Sequence, residues 1–254
     1  MRLNSFFLFV VLMISNQSLQ AQIVNIENRR IYDDTSGWSG SLDGSFSIQQ
    51  NSKLFYNLGF RPRAQFKNRK NYILAIGDVS YTGSQGQTYA NSGMIHFRYA
   101  RRIKNGPWKW ESYTQTQYNQ LLDQKNRTIV GTGLRWKFVD TNHIRGFLGS
   151  SVFYEYEELR VEKTFHNDVR WSNYISWFLP IKKIINFTGT TYYQPLLKDF
   201  SDFRFSGNYG LSIIVSKHLD LRFDMNLFYD SNPPENVLNI VYSTTVGFRV
   251  KLGE

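Results

Sequence analysis

The sequence contains no cysteine among its 254 residues. Disulfide bonds are therefore excluded as a source of stability, even in an oxidising compartment that would permit them. Beyond residue 21 there is also no run of about 18 apolar residues, which excludes a membrane-spanning helix in that part of the chain. A membrane protein without such helices must be a closed β-barrel, because every backbone polar group has to be paired within the hydrocarbon layer.

Acidic residues are fewer than basic ones, 20 against 30, so the formal net charge is +10. A charge of this size can indicate a nucleic-acid partner, but the basic residues are spread along the chain rather than gathered in one stripe. The export signal described next also argues against nucleic acid. We therefore predict no nucleic-acid partner.

The first 21 residues have the order of a secretory signal peptide. Arg2 gives a basic start, residues 6–14 form an almost unbroken apolar run, and Ala21 is a small residue at a cleavage point. The run is too short to span a bilayer as a helix. A buried N-terminal helix is disfavoured, because no polar residue recurs with helical period. We predict cleavage after Ala21, and residues 22–36 as an N-terminal periplasmic segment.

From residue 37 onward, apolar and polar residues alternate in segments of about ten to thirteen residues. Leu219, Leu221 and Phe223, for example, alternate with Asp220 and Arg222. Side chains point alternately to the two faces of a strand, so each segment has one apolar and one polar face. The predicted strands are 38–48, 54–66, 72–81, 92–102, 108–120, 127–139, 144–157, 168–179, 183–194, 203–215, 219–227 and 238–252.

Three of these segments depart from simple alternation. Residues 72–81 and 108–120 change phase partway, which suggests β-bulges. Pro62 lies inside the second strand although proline cannot donate a hydrogen bond to a neighbouring strand. We therefore expect a bulge or a local strand end at Pro62.

A soluble sandwich or lipocalin-like barrel would also show alternation, but two features favour a barrel in lipid. The polar faces carry arginines and carboxylates, which a soluble core would not tolerate unpaired. Aromatic residues lie near the segment ends, where outer-membrane barrels have their aromatic girdles. The predicted girdle residues are Trp38, Tyr72, Tyr99, Trp108, Trp110, Trp136, Trp171, Tyr193 and Tyr229.

The connections between segments also alternate in character. One set is short and basic, at residues 67–70, 101–104, 180–183 and 216–218. The other set is mostly longer, at residues 83–90, 121–126, 158–167, 196–202 and 230–235. Short periplasmic turns and longer outer loops are typical of outer-membrane barrels. We predict an all-β fold, an antiparallel up-and-down transmembrane barrel of about twelve strands over residues 37–254, in a bacterial outer membrane.

Several short motifs resemble those of a known family. The most specific is Tyr-Asp-Ser-Asn-Pro-Pro at 229–234, ahead of the last amphipathic strand. The others are Gly-Asp-Val-Ser-Tyr at 77–81, Arg127 ahead of Gly-Thr-Gly-Leu at 131–134, Gln-Pro at 194–195, Asp-Phe-Ser-Asp-Phe-Arg at 199–204 and Gly-Phe at 247–248. Over most of the mature chain the sequence resembles the YdiY-like family of salt-induced outer-membrane proteins. The resemblance implies a barrel without an assigned function and supplies no catalytic residue.

The polar faces identify the side chains that should line the lumen. These candidate lumen residues are Arg61, Arg63, Arg98, Glu155, Glu157, Arg170, Arg204, Arg222 and Asp224, accompanied by Asp43. They suit either a channel for small anionic solutes or a lumen filled by salt-bridged side chains. The filled lumen is favoured, because aqueous channels are typical of barrels with 16–18 strands.

Catalysis is the less favoured interpretation of the histidines. A lipid-hydrolysing barrel needs a serine activated by histidine. His143, His166 and His218 fall in or beside connections, whereas His96 shares a phase with Arg98 and should face the lumen, away from lipid. We predict no catalytic residue, no cofactor and no metal site.

Four acids at the outer-loop edge have two possible roles. Asp199, Asp202, Asp230 and Glu235 could hold a divalent cation that bridges to lipopolysaccharide phosphates. Their spacing matches no calcium loop, so solvated loop acids are favoured.

Together these features predict a monomeric outer-membrane protein with a structural or stress-adaptive role and a mostly occluded lumen. Its predicted partners are outer-membrane lipids, lipopolysaccharide and the outer-membrane assembly machinery. A narrow pore for small anionic solutes and a lipid-modifying enzyme are the alternatives.

Overall fold

The computed structural model describes residues 36–50, 54–84, 87–161, 163–181, 184–233 and 237–252. The predicted signal peptide and residues 22–35 of the N-terminal segment lie outside the described residues. Among the residues that are described, no helix is both long and apolar enough to cross a membrane.

Twelve antiparallel strands form one closed barrel, in which each strand pairs with its neighbours in sequence and β1 pairs with β12. The strands are β1 (Gly37–Gln50), β2 (Leu54–Lys67), β3 (Asn71–Ser84), β4 (Gln87–Arg102), β5 (Trp108–Asn119), β6 (Gln124–Asp140), β7 (Arg145–Leu159), β8 (Phe165–Ile181), β9 (Ile185–Leu196), β10 (Asp199–Ile214), β11 (Leu219–Asp230) and β12 (Ile240–Leu252). A 3₁₀ turn at Gln120–Leu122 links β5 to β6. The predicted fold class and strand number are confirmed.

The two faces of each strand separate apolar from polar side chains. On β2, Leu58 and Phe60 are exposed on the outside, whereas Arg61 and Arg63 are buried inside. This is the reverse of a soluble barrel, in which apolar residues fill the interior. The edge at which β1 begins and β12 ends is called the near edge below, and the opposite edge is called the far edge.

Barrel closure depends on a short ladder. β1 pairs with β12 over five residue pairs, from Gly40 opposite Leu252 to Gly44 opposite Phe248, whereas β1 pairs with β2 over fourteen. Fewer backbone hydrogen bonds close the barrel here, so side-chain contacts across this seam carry more of the closure.

Pro62 neither ends β2 nor causes a bulge, so that prediction is wrong. The register between β2 and β3 is the same on both sides of it, with Phe60 opposite Val79 and Arg63 opposite Ile76. The residue facing Pro62 is Gly77, where an added Cβ would lie 3.0 Å from the proline ring. Gly77 therefore leaves room for the Pro62 ring, at the position where proline has no N–H to donate to the neighbouring strand.

The two predicted phase changes have different outcomes. In β5 the register with β6 shifts between Gln117 and Asn119, so an irregularity is present as predicted. In residues 72–81 the backbone keeps its phase, and the bulge prediction is wrong. The register shift against β4 falls later, between Thr82 and Gly83.

The apparent phase change in β3 reflects an apolar patch inside the barrel. Tyr72, Leu74 and Ile76 point inward and are buried together with Met94 and Ala100 of β4. Tyr72 is therefore not part of an outer girdle, contrary to prediction, and its hydroxyl donates a hydrogen bond to Gln65 inside the barrel. Alternation alone cannot distinguish an apolar residue facing lipid from one packed in a filled lumen.

Other predicted girdle residues do face outward at the strand ends. At the near edge Trp108 stacks on Trp136, with ring centroids 5.7 Å apart, and Trp110 contacts Tyr99 edge-on at 6.1 Å. Trp38 packs against Phe66 at 5.3 Å on β1 and β2. Amphipathic rings in this position are typical of a membrane interface.

Candidate functional site in the barrel lumen

The interior of the barrel is filled by charged and polar side chains. Of the nine candidate lumen residues, eight are buried, and Asp224 is the less buried exception. They fall into three separate clusters and one pair of arginines on β2.

The largest group, here the Glu155 cluster, comprises Arg127, Glu155, Glu157, Arg170, Asp202, Arg204 and Asp230. Arg204 contacts three carboxylates: Glu155 at 2.7 Å, Glu157 at 2.9 Å and Asp230 at 2.9 Å. Glu155 also pairs with Arg127, and its second oxygen accepts a hydrogen bond from Arg170 at 3.0 Å. Arg170 makes a further ion pair with Asp202 at 2.9 Å.

The Glu155 cluster crosses the lumen near the far edge. Arg204 lies on β10 and reaches Glu155 and Glu157 on β7, with β8 and β9 intervening in the barrel order. Arg170 of β8 lies between them. A guanidinium presents five donors in a fixed fork, which allows one arginine to hold several carboxylates at once. The cluster therefore forms a cross-brace inside the barrel.

The second group, here the Asp43 cluster, lies at the closing seam and comprises Asp43, Asp220, Arg222, Asp224, Arg249 and Lys251. Arg249 donates to both oxygens of Asp43, at 2.6 and 2.7 Å. These two residues are direct partners in the β1–β12 ladder. Arg222 of β11 joins Asp43 at 3.2 Å and also contacts Asp224. Bidentate pairing is the strongest arrangement for arginine and carboxylate, and here it supports the short seam.

The third group, here the Glu111 cluster, comprises Arg98, Glu111 and Arg135. Arg98 lies 3.1 Å from Glu111 and Arg135 lies 3.7 Å from the same carboxylate. The guanidinium of Arg135 also sits over the ring of Phe147, 3.9 Å from its centroid. Two arginines from β4 and β6 therefore share the carboxylate of Glu111 on β5.

The remaining two candidate lumen residues, Arg61 and Arg63, lie on β2 and contact residues of the neighbouring strands β3 and β1. Arg61 pairs with Asp78 at 3.5 Å, and Arg63 donates a hydrogen bond to the Ser41 hydroxyl at 2.6 Å.

One cavity inside the barrel lies beside the Glu111 cluster. Its volume is about 90 Å³, and it is lined by residues that include His96, Arg98, Tyr113, Gln115 and Tyr174. A water molecule occupies about 30 Å³ in the liquid, so this space admits only a few waters or one small solute.

His96 lies in this cavity and is almost completely buried. Its Nδ1 is hydrogen-bonded to the Gln115 side chain at 3.0 Å, and its ring stacks near Tyr113. The other three histidines are exposed. Across the described ranges, no three His, Asp or Glu side chains come together as a metal site requires.

The sequence interpretation missed several interior partners. Asp202 and Asp230 were expected to be solvated loop acids, but Asp230 is buried and both bind arginines of the Glu155 cluster. The reason is that β10 and β11 extend farther toward the far edge than the alternation indicated. Asp199 is exposed, as expected for a solvated acid. Glu235 lies outside the described residues.

The partners Arg127, Glu111 and Arg249 were also missed. Each follows the inward phase of its strand, which is the signal that could have found it. Which oppositely charged residue each one meets depends on other strands.

Comparison with known proteins gives one family and one class of fold. The sequence pattern of a family described as "Protein of unknown function, DUF481" matches residues 50–251. Among proteins with curated descriptions, none matches the chain.

Solved structures of outer-membrane barrels are similar in fold. The COG4313 outer membrane channel from Pseudomonas putida F1 aligns with a TM-score of 0.50 and 7% identity, over 93% of this chain and 99% of that one. The NanC porin aligns with a TM-score of 0.49 and 10% identity, over 85% of this chain and 100% of that one. At such identities the likeness concerns the fold alone.

Proposed function

The chain belongs to the DUF481 family of unknown function, the YdiY-like family indicated by its motifs, and we propose that it is an outer-membrane barrel with a mostly occluded lumen. In this proposal the protein has a structural or stress-adaptive role in the cell envelope rather than a transport role. The outward apolar face contacts lipid, and the near edge with its short basic turns faces the periplasm.

The Glu155 cluster is the observation that supports occlusion most directly. Its arginines and carboxylates bridge strands that are not neighbours, and so they occupy the lumen near the far edge. The apolar patch of β3 and β4 and the Glu111 cluster fill part of the remaining interior. An interior of this kind stabilises the barrel shape and leaves little space for a continuous water column.

Planar-bilayer recordings test the occlusion. The purified full-length protein is expected to show no large stable conductance. Arg204→Ala removes the side chain that crosses the lumen and is expected to raise the conductance above that of the wild type. Lys125→Ala, which removes an exposed cation near the same edge, serves as the control and should leave it unchanged. A large stable conductance of the wild type would contradict the proposal.

Export and partners are part of the same proposal. We propose that residues 1–21 are removed after Ala21 and that the assembly machinery of the outer membrane inserts the barrel. Outer-membrane phospholipids and lipopolysaccharide would then surround it. N-terminal sequencing of protein recovered from outer membranes tests this, because a first residue other than Gln22 would disprove the cleavage site.

We also propose a non-catalytic role. The Nδ1 of His96 in the lumen is bonded to a glutamine side chain, whereas acyl transfer by a serine requires the histidine to act as its base. Release of fatty acid from phospholipid or lipid A by the purified protein, lost in His96→Ala, would overturn this part of the proposal.

A narrow pore for small anions is the second candidate, and the cavity beside the Glu111 cluster favours it. Arg98 lines this cavity and shares its carboxylate with Arg135. In the same recordings a pore would give a small anion-selective current. Arg98→Ala should reduce the anion preference, whereas Arg101→Ala, on the exposed end of the same strand, should not. Absence of any current removes this candidate.

A further inference from the structure

Two neighbouring turns at the near edge carry a group of exposed cations. This group, here the basic patch, comprises Arg69 and Lys70 between β2 and β3, and Arg101, Arg102 and Lys104 at the end of β4 and in the turn that follows it. Residues 67–71 and 101–110 include no aspartate or glutamate. Within the described ranges, none of the five cations forms an ion pair. The described part of the chain therefore does not neutralise this patch.

The next connection along the near edge, between β6 and β7, has a different arrangement. Its acid Asp140 pairs with Lys137 and lies 3.6 Å from Arg145. The cations of that connection are thus balanced from within the chain. An anion from outside the chain would instead be attracted to the basic patch.

Backbone hydrogen bonds hold the two turns of the basic patch in place. The Arg102 N–H donates to the Lys70 carbonyl at 2.8 Å, which joins the ends of β3 and β4. The Asn68 side chain accepts a hydrogen bond from the Lys70 N–H at 2.9 Å. The second turn is closed by the Ile103 N–H, which donates to the Trp108 carbonyl at 2.9 Å. An anion bound here would not have to order the backbone that carries the cations.

The outward face of β4 leads from an apolar surface to the basic patch. Phe97, which is 53% exposed, is followed on this face by Tyr99 and then by Arg101. Arg101 lies opposite Trp110 of β5, whose ring contacts Tyr99. At about 3.3 Å per residue, Arg101 is about 7 Å beyond Tyr99 along the strand. Apolar, aromatic and cationic groups thus follow one another in the order in which a bilayer passes from acyl chain to interface to phosphate.

We propose that the basic patch binds the phosphate headgroup of an anionic glycerophospholipid in the leaflet at the near edge, with the acyl chains of that lipid along the outward face of β4. Clusters of lysine and arginine beside a membrane-spanning segment attract anionic lipids. The Arg101 guanidinium can hold two phosphate oxygens at once. This inference rests on the membrane location in the proposed function, and the experiment separates the two.

A water-soluble anion, such as an acidic protein or a carboxylate of the cell wall, is the less suitable occupant. It would meet the exposed cations of the turns, but it would leave Phe97 and Tyr99 without a partner. A phospholipid contacts both parts of this surface, because its acyl chains and its phosphate are joined in one molecule.

Lipid-specific quenching of a single label tests the proposal, since the chain has no cysteine of its own. Ile103→Cys carries a fluorophore beside the basic patch, and Val215→Cys is the matched control. Both are exposed apolar residues that directly follow the last residue of a strand, β4 or β10. These two strands lie on opposite sides of the closed barrel.

The purified labelled protein is folded into phosphatidylcholine vesicles that contain the same fraction of either brominated phosphatidylcholine or brominated phosphatidylglycerol. At the Ile103 label we expect the relative association constant to favour phosphatidylglycerol by about fivefold or more. At the Val215 label the two brominated lipids should quench to about the same extent.

A charge substitution tests the role of the basic patch. Adding Arg101→Gln to Ile103→Cys should lower the preference for phosphatidylglycerol about fivefold, the factor that one basic residue contributes at an anionic lipid surface. Lys217→Gln removes the same charge from the turn between β10 and β11 and should leave the preference unchanged. Heat-dependent gel mobility checks that each variant forms a barrel. An equal preference with and without Arg101 would refute its contact with the headgroup.

The remaining outcomes separate the lipid site from the proposed function. If the protein inserts into the vesicles and both lipids quench the Ile103 label equally, the headgroup site is overturned and the proposed function stands. Binding of soluble cell-wall fragments in place of a lipid preference has the same meaning. If the folded chain stays outside the vesicles and neither label is quenched, both are overturned.

Discussion

Replacing Glu155 with alanine is expected to lower the free energy of unfolding by about 3–5 kcal/mol. Glu155 is 1% exposed and is the carboxylate shared by Arg127, Arg170 and Arg204. Its removal leaves Arg127 without another ion pair among the described residues. A buried charge that loses its partner keeps its desolvation cost and loses the compensating attraction.

Urea unfolding followed by tryptophan fluorescence measures this effect. Glu158→Ala is the control. Glu158 lies on the same strand, β7, but its ion-pair partner Lys125 is exposed. Exposed ion pairs contribute about 0–1 kcal/mol, so the control should shift the transition only slightly. Equal shifts for the two variants would show that the Glu155 cluster does not brace the barrel.

Replacing Ile95 with arginine is expected to destabilise the folded barrel by about 2–4 kcal/mol in a bilayer. Ile95 is 52% exposed on the outside of β4, near the middle of Gln87–Arg102. At that depth an arginine must enter the hydrocarbon layer, and the cost of a charge is greatest at the centre.

Ile73→Arg provides a control with the same residue change at another depth. Ile73 is also exposed on the outside, but it lies at the third position of β3, at the near edge. Close to the interface the same arginine should cost about 0–1 kcal/mol. Urea titration of both variants folded in vesicles measures the difference. Two equally small effects would indicate that the outer surface faces water, because exposed substitutions in soluble proteins usually change stability by about 0.5 kcal/mol or less.

The strands were predictable because a period of two is a local property. The strand Leu219–Asp230 shows this well, since each inward polar residue from Asp220 to Asn226 is followed by an outward apolar one. The same alternation predicts that Arg204, Arg222 and Glu155 face inward, but it does not identify their partners. Tyr72 shows the limit, because an apolar side chain can face either lipid or a packed interior.

The ion pairs were not predictable, because they join residues that are far apart in the chain. Asp43 and Arg249 are separated by 206 positions and meet because β1 pairs with β12 in one particular register. Arg204 and Glu155 are separated by 49 positions and meet across two intervening strands. Neither contact can be predicted from the alternation of apolar and polar residues within a strand.

By itself the sequence determined the strand periodicity, the outward apolar surface and the identity of the inward charged residues, because these depend on neighbours within one strand. Only the tertiary structure decided which charges pair and that the lumen is braced. Those features depend on the register, closure and curvature of twelve strands together, and a contact between distant strands has no local signal.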